Sequence, residues 1–303
     1  MKLGLCCICL ELQKRDPPLK FQTMTYKRFS SLLREDAIEI LSDRILNNLI
    51  VTNETIKYCS ENNLSYRLSS DLFPLITYDV ANVNLEDLPN YDEIQDTFDV
   101  IEKTIKETNV RVSCHPSEFN VLASKNQAAV NKTIDELNFY SSFMDRIGCP
   151  ADHNSPMNLH IHNKDGSYDE IINRFMGSFS KLDENCKSRM VIENDDKASG
   201  WSAKELVEEF HSKTNIPITF DFLHNKCNPS YDNEEEAINA CYKTWGNTIP
   251  IFHYSESAPG NNPRKHADYA TQPFDTYGLE FYLDFELKEK CKSIKQYKEL
   301  YSL

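Results

Sequence analysis

The stretch Ile218–Lys226, ITFDFLHNK, decides how the rest of the chain is read. Its apolar start has the character of a buried strand, yet it stops at Asp221 and is followed by a histidine at position 224. A carboxylate and an imidazole where a strand leaves the core form a site only if other strands end the same way. Seven further short apolar runs recur: 2–9 (KLGLCCIC), 65–70 (SYRLSS), 110–114 (VRVSC), 157–162 (MNLHIH), 189–193 (RMVIE), 249–254 (IPIFHY) and, less sharply, 279–286 (LEFYLDFE). Stretches with apolar residues at three- and four-residue spacing lie between them, among them LREDAIEILSDRILNN, EIQDTFDVIEKTIKET and SAKELVEEFHSKT; that spacing marks amphipathic helices. Ser202 with Glu205 three residues on predicts a capping box at the start of one of them.

Eight strands alternating with helices predict an α/β protein, a single (β/α)8 TIM barrel over residues 1–303 with its site at the C-terminal face of the strands. A doubly wound open sheet is the alternative. It usually carries a glycine-rich first turn for phosphates, and CCICLELQK has none. The segments 82–93 and 259–278 read as long loops.

Composition narrows the class further. The 303 residues are 40% hydrophobic, enough for a large core, and no run approaches the length of a membrane helix. The N-terminal stretch reads as a first strand and not as a signal peptide. The ten cysteines are scattered without paired CxxC spacing, so they are expected to be reduced thiols of an intracellular compartment, cytoplasm or nucleus. A net charge of −14 argues against a nucleic-acid partner. A carboxylate-rich site that holds cations can nevertheless present a positive face.

The strand ends then answer the opening question. Successive runs finish at or beside His115, His162, Glu193, Asp221, His253 and Glu286, with His224 and His266 following shortly after strands. Any one of these is unremarkable alone, as a hydrogen-bonded histidine or a helix-capping carboxylate. As a set at one mouth they would repel and lose hydration, costs that divalent cations relieve. Imidazole and carboxylate without thiolate suit Zn, Mn, Fe or a similar ion, and so many ligands predict two or three ions bridged by a shared carboxylate. His160 reads as a core histidine one layer deeper, and His153 and His211 as surface residues. Clustered divalent ions favour phosphodiester hydrolysis, with sugar isomerisation as the second reaction class. Arg67, Lys197, Lys226, Arg264 and Lys265 follow strands on the same side and are candidates for phosphate contacts.

The motifs YRLSSDLFP, CHPSEF, VIENDDK, PITFDFLHNK, TWG, FHYSES, RKHADY and DFELKEK together resemble the UV-damage endonuclease family along nearly the whole chain. The resemblance implies a barrel related to endonuclease IV type apurinic endonucleases. It also implies a metal-dependent nick of damaged double-stranded DNA immediately 5′ of pyrimidine dimers and photoproducts, leaving 3′-hydroxyl and 5′-phosphate ends. The implied cofactor is three Mn2+, with Zn, Mg or Co as substitutes. The partner is damaged DNA, with no membrane, and the chain is expected to be a monomer. Carried over by motif, Glu193 is the bridging carboxylate, His115 and His162 share one ion with it, and Asp221, His253 and Glu286 hold the second. His224 and His266 hold the third, with Asp268 as a helper. Where the family pattern reads like HPGQY, this chain has Glu118 and Phe119 in the wedge positions. Leu5 stands where a second probing aromatic is expected, Ile251 where a lysine is common, and Asn225 where a second histidine is expected. These departures keep an apurinic endonuclease without dimer preference open as an alternative. A metal-dependent sugar isomerase on the same barrel and a non-catalytic damage-binding protein are further alternatives, and the retained ligand set argues against the latter.

Overall fold

A computed structural model describes residues 2–117, 119–162 and 164–301. All eight apolar runs are strands: β1 Lys2–Cys6, β2 Ser65–Leu68, β3 Val112–Cys114, β4 Met157–Leu159, β5 Met190–Glu193, β6 Ile218–Thr219, β7 Ile251–Tyr254 and β8 Tyr282–Phe285. They form one parallel sheet in the order β6-β5-β4-β3-β2-β1-β8-β7. The remaining seam, between β6 and β7, is closed by a single bridge between Asp221 and His253 and by the His253 amide donating to Phe220 O at 2.9 Å. Two of the expected site residues therefore also close the barrel.

The strands are short and buried on both faces, because helices cover the outside and side chains fill the inside. The long helix Arg34–Glu61 shows why these segments pack as they do: Leu41, Ile45, Leu49 and Ile56 fall on one face and are fully buried. Tyr91–Thr108, Gln127–Arg146, Tyr168–Phe179, Glu234–Lys243 and Lys290–Tyr301 complete the main outer helices. The capping box at Ser202 is present. The Ser202 amide donates to Glu205 Oε2 at 2.8 Å, and the Glu205 amide donates to Ser202 Oγ at 3.4 Å. The helical stretch that follows runs through a π-helical turn at Leu206–His211. All ten cysteines are free thiols. Among the described residues, no helix is long and apolar enough to cross a membrane.

The inside of the barrel is not uniformly apolar. Arg67, Ser113, Asn158, Glu193, His253 and Asp284, from six different strands, are all buried. Contacts between them cross the interior, as between Ser113 Oγ and Asp284 Oδ2 at 3.5 Å. Gly4 on β1 makes room for this polar layer, since a Cβ there would lie 2.0 Å from Asp284 Oδ1.

Candidate metal centre

Parallel strands all point one way, so residues at their C-terminal ends meet at one mouth whatever their separation in sequence. His115 follows β3, His160 follows β4, Glu193 ends β5, Asp221 follows β6, His253 lies within β7 and Glu286 follows β8. Glu193 is the centre of the group and is 1% exposed. His115 Nε2 lies 3.3 Å from its Oε2, His160 Nε2 3.6 Å from the same oxygen, and His253 Nδ1 2.9 Å. His224 Nδ1 lies 3.1 Å from its Oε1. His253 Nδ1 also approaches Glu286 Oε1 at 3.2 Å. Asn158 Nδ2 donates to Glu193 Oε2 and fixes the carboxylate from below.

The imidazoles are themselves oriented. His115 Nδ1 lies 3.0 Å from Pro116 O, His224 Nδ1 2.8 Å from Asn194 O, and His266 Nδ1 2.7 Å from Glu286 O. A carbonyl can only accept, so these contacts place the proton on Nδ1 and leave Nε2 as the lone-pair nitrogen. His160 Nδ1 lies 3.0 Å from Asp195 Oδ1, off the ideal hydrogen-bond direction. Carboxylate or carbonyl behind an imidazole is the arrangement that orients metal ligands. Asp221 caps the short helix Phe222–Cys227, its Oδ1 accepting from the His224 amide at 2.6 Å.

Electrostatics follow from this crowding. Burial alone would raise the Glu193 carboxyl, but the surrounding imidazoles of His253, His160, His115 and His224 hold it well below the usual range. Burial would likewise raise Glu286, and Arg67 with His253 outweighs it. Asp221 goes the other way: burial raises it, and the nearby His224 offsets only part of that. Burial pulls His253 down, but Glu193 and Glu286 push it up to about 9.

The donor set fits a divalent cation. Two groups of three, His115–Glu193–His253 and His160–Glu193–His224, each bring one ligand atom per residue within 4.8 Å of the others, and both share Glu193. Asp221 Oδ2 is buried and makes no hydrogen bond, and His253 Nδ1 is close to two carboxylates without hydrogen-bond geometry to either. A buried carboxylate oxygen without a hydrogen bond, among clustered imidazoles, is what a cation would satisfy.

Several expectations need correcting. The family resemblance put His162 on Glu193 and strand alternation put His160 in the core; instead His160 reaches Glu193 and His162 lies in the cleft wall. β4 ends at Leu159 and His162 takes a left-handed backbone conformation, φ +66°, so strand alternation no longer governs it. Its Nδ1 lies 3.7 Å from Asp195 Oδ1, and neither group around Glu193 includes it. Leu5 is fully buried, in register with Tyr66 and Phe285, and cannot probe DNA. Arg67 is 8% exposed and paired through Nη1 with Glu286 Oε1, so it serves the interior and not a phosphate. The expected grouping of Asp221, His253 and Glu286 on one ion is not seen as a triad, since His253 joins His115 and Glu193. His266 reaches Glu286 Oε2 only at 3.9 Å. Asp268 lies 3.9 Å from Lys288 and is mostly exposed. Glu118 lies outside the described residues; Phe119 is 81% exposed. Lys197, Lys226, Arg264 and Lys265 are exposed, with Arg264 Nε 3.5 Å from Asp196.

Asn158 and Asp195 were not anticipated. Both had a signal: Asn158 stands two residues before His160, on the same face of β4, and Asp195 stands two residues after Glu193 in VIENDD. A cleft of about 450 Å³ opens over the centre, lined by His115, His160, His162, Asp195, Lys197 and His224 among others.

Fold and site together define a (β/α)8 barrel with a histidine–carboxylate centre for divalent metal at its C-terminal mouth. The family model described as UV-endonuclease UvdE matches residues 1–302, and the chain belongs to that family. A UV DNA damage endonuclease of Nostoc sp. is 31% identical over 297 residues, covering 95% of this chain and 87% of that one. The crystal structure of SacUVDE superposes with a TM-score of 0.80 at 26% identity, covering all of both chains. Endonuclease IV from Thermus thermophilus shares the fold, with a TM-score of 0.59 at 12% identity over 82% of this chain and 92% of that one.

Proposed function

We propose that this protein nicks the phosphodiester backbone of damaged double-stranded DNA immediately 5′ of ultraviolet lesions, pyrimidine dimers and photoproducts, leaving a 3′-hydroxyl and a 5′-phosphate. The observation that carries the proposal is the buried carboxylate of Glu193 in contact with four imidazoles from the ends of β3, β4 and β7 and the helix after β6, in a chain of the UV-endonuclease family. His115, His160, Glu193, Asp221, His224, His253, His266 and Glu286 would hold up to three Mn2+, with Glu193 shared. When bound, such ions supply an activated water and charge stabilisation for the attacking and leaving oxygens of phosphoryl transfer.

The chain's own residues do the rest. Asn158 and Arg67 hold the two carboxylates in place from within the barrel. Asp195 and three backbone carbonyls aim the imidazoles. Phe119, exposed four residues after His115, is the wedge that separates bases at the lesion. Unstacking costs a few kcal/mol and less at a damaged step, which selects damage without reading sequence. Lys197, Lys226, Arg264 and Lys265 meet phosphates and offset the overall negative charge locally.

The test uses purified protein, Mn2+ and end-labelled duplexes carrying one cyclobutane dimer, one abasic site or no lesion. Nicking 5′ of the dimer is expected. Cutting the abasic duplex alone would select an apurinic endonuclease, a reading favoured by Glu118 and Phe119 replacing the family's wedge pair. Inertness on all three would refute both.

A further inference from the structure

We infer that His162 is a substrate-contacting residue, not a metal ligand, held by a strained backbone so that its ring meets a phosphate of the DNA strand entering the cleft. The inference rests on the nuclease reading above. Left-handed backbone crowds Cβ against the following carbonyl and is avoided by residues other than glycine. Eight other non-glycine residues share it among the described residues: Asn63, Asn82, Asn109 and Asn215 each close a helical segment, where that conformation satisfies the last carbonyls, while Cys7 follows β1, Leu75 and Tyr277 lie in turns and Lys290 opens the last helix. His162 closes no helix; it lies three residues past β4.

What the conformation achieves is visible in the side chain. The ring stacks on His160, with centroids 5.1 Å apart at 26°. It lines the cleft together with Lys197, and 34% of the side chain is exposed. Most of the side chain is covered by its neighbours and the exposed part faces the cleft, so the left-handed backbone presents the imidazole at the cleft wall. Strained backbone of this kind clusters at functional sites. Both groups around Glu193 are complete without it. An imidazole N–H and the Lys197 ammonium on one wall suit a phosphate oxygen. Both carboxylates that line the cleft and would oppose one are engaged: Asp196 by Arg264 at 3.5 Å, and Asp195 by His160 Nδ1 at 3.0 Å and the Trp201 amide at 2.7 Å.

The experiment compares the full chain with H162G, H162N and H160A. Elemental analysis measures Mn2+ per chain, calorimetry measures Tm, and steady-state nicking of a dimer duplex separates KM from kcat. H162G is expected to hold as much Mn2+ as wild type and to melt about 2 °C or more higher, because glycine accepts the left-handed backbone. Its KM should rise roughly tenfold, the worth of one hydrogen bond to a charged group, with kcat within about threefold. H162N, which tolerates the same conformation and keeps an N–H donor, should recover part of the KM. H160A should lose Mn2+. Loss of Mn2+ in H162G would overturn the inference in favour of ligation, and an unchanged KM or a lower Tm would overturn it outright. A wild type that nicks no duplex would instead overturn the nuclease reading, and this inference with it.

Discussion

Arg67 on β2 and Glu286 just past β8 are paired through Nη1 and Oε1 past the intervening strand β1, 219 residues apart in sequence. The pair is buried, and Glu286 Oε1 goes on to His253, which reaches Glu193. A guanidinium thus anchors one end of the carboxylate–imidazole chain. Removing one member of a buried pair leaves an unpaired charge, which costs about 3–5 kcal/mol. R67M is therefore expected to lower the unfolding free energy of the metal-free protein, measured in urea, by that amount. Added Mn2+ should restore part of it, because a cation can neutralise the freed Glu286. R67K should recover little, since lysine lacks the planar fork.

Glu193 is shared by both candidate metal groups. E193Q keeps the shape and removes the charge. Even partners behind a metal ligand typically matter 10–100-fold, so E193Q should lower Mn2+ affinity and the nicking rate by more than about 100-fold. Asn158, which only steadies Glu193, should show the intermediate effect: N158A is expected to weaken Mn2+ binding about 10–100-fold. Equilibrium dialysis against Mn2+ reads both; an E193Q protein that binds metal like wild type would refute the assignment.

Gly4 allows the β1 backbone to pass close to Asp284. In G4A the new Cβ would meet Asp284 Oδ1 at 2.0 Å and Ser65 Oγ at 2.7 Å. Asp284 is fully buried and has little room to move, so overpacking should destabilise the protein by at least about 1–3 kcal/mol. Denaturant unfolding at fixed pH measures this directly.

Glu205 gives a pH signature away from the metal centre. It accepts from Lys164 Nζ at 2.6 Å, Tyr168 OH at 2.6 Å and the Ser202 amide at 2.8 Å. Burial would raise its carboxyl, but these donors together lower it below the ordinary glutamate value of 4.5. A carboxyl depressed on folding stabilises above its unfolded pKa, and that stabilisation is lost as pH falls through the folded value. The stability gap between wild type and E205Q should therefore be flat, roughly 1–3 kcal/mol, from about pH 5.5 to 8. It should shrink below pH 4.5. A gap that widens on acidification would contradict this pairing.

Much of this protein follows from the order of residues alone. Short apolar runs alternating with amphipathic stretches specify eight strands and their helices, because strand and helix periods are local properties of the chain. A parallel barrel brings all strand ends to one rim, so His115, Glu193, Asp221, His253 and Glu286 could be placed together without knowing any distance. What only the tertiary structure decided depends on where alternation stops and on which side chains meet across the interior. The left-handed turn at His162 takes it off Glu193 and leaves that place to His160. Arg67 has the composition of a phosphate contact, yet Glu286, from the far end of the chain, draws it inside. Leu5 sits at a strand end in sequence and in the core in space, because its neighbours Tyr66 and Phe285 cover it. Local pattern determines which element a residue joins, whereas partners distant in sequence determine what its side chain touches.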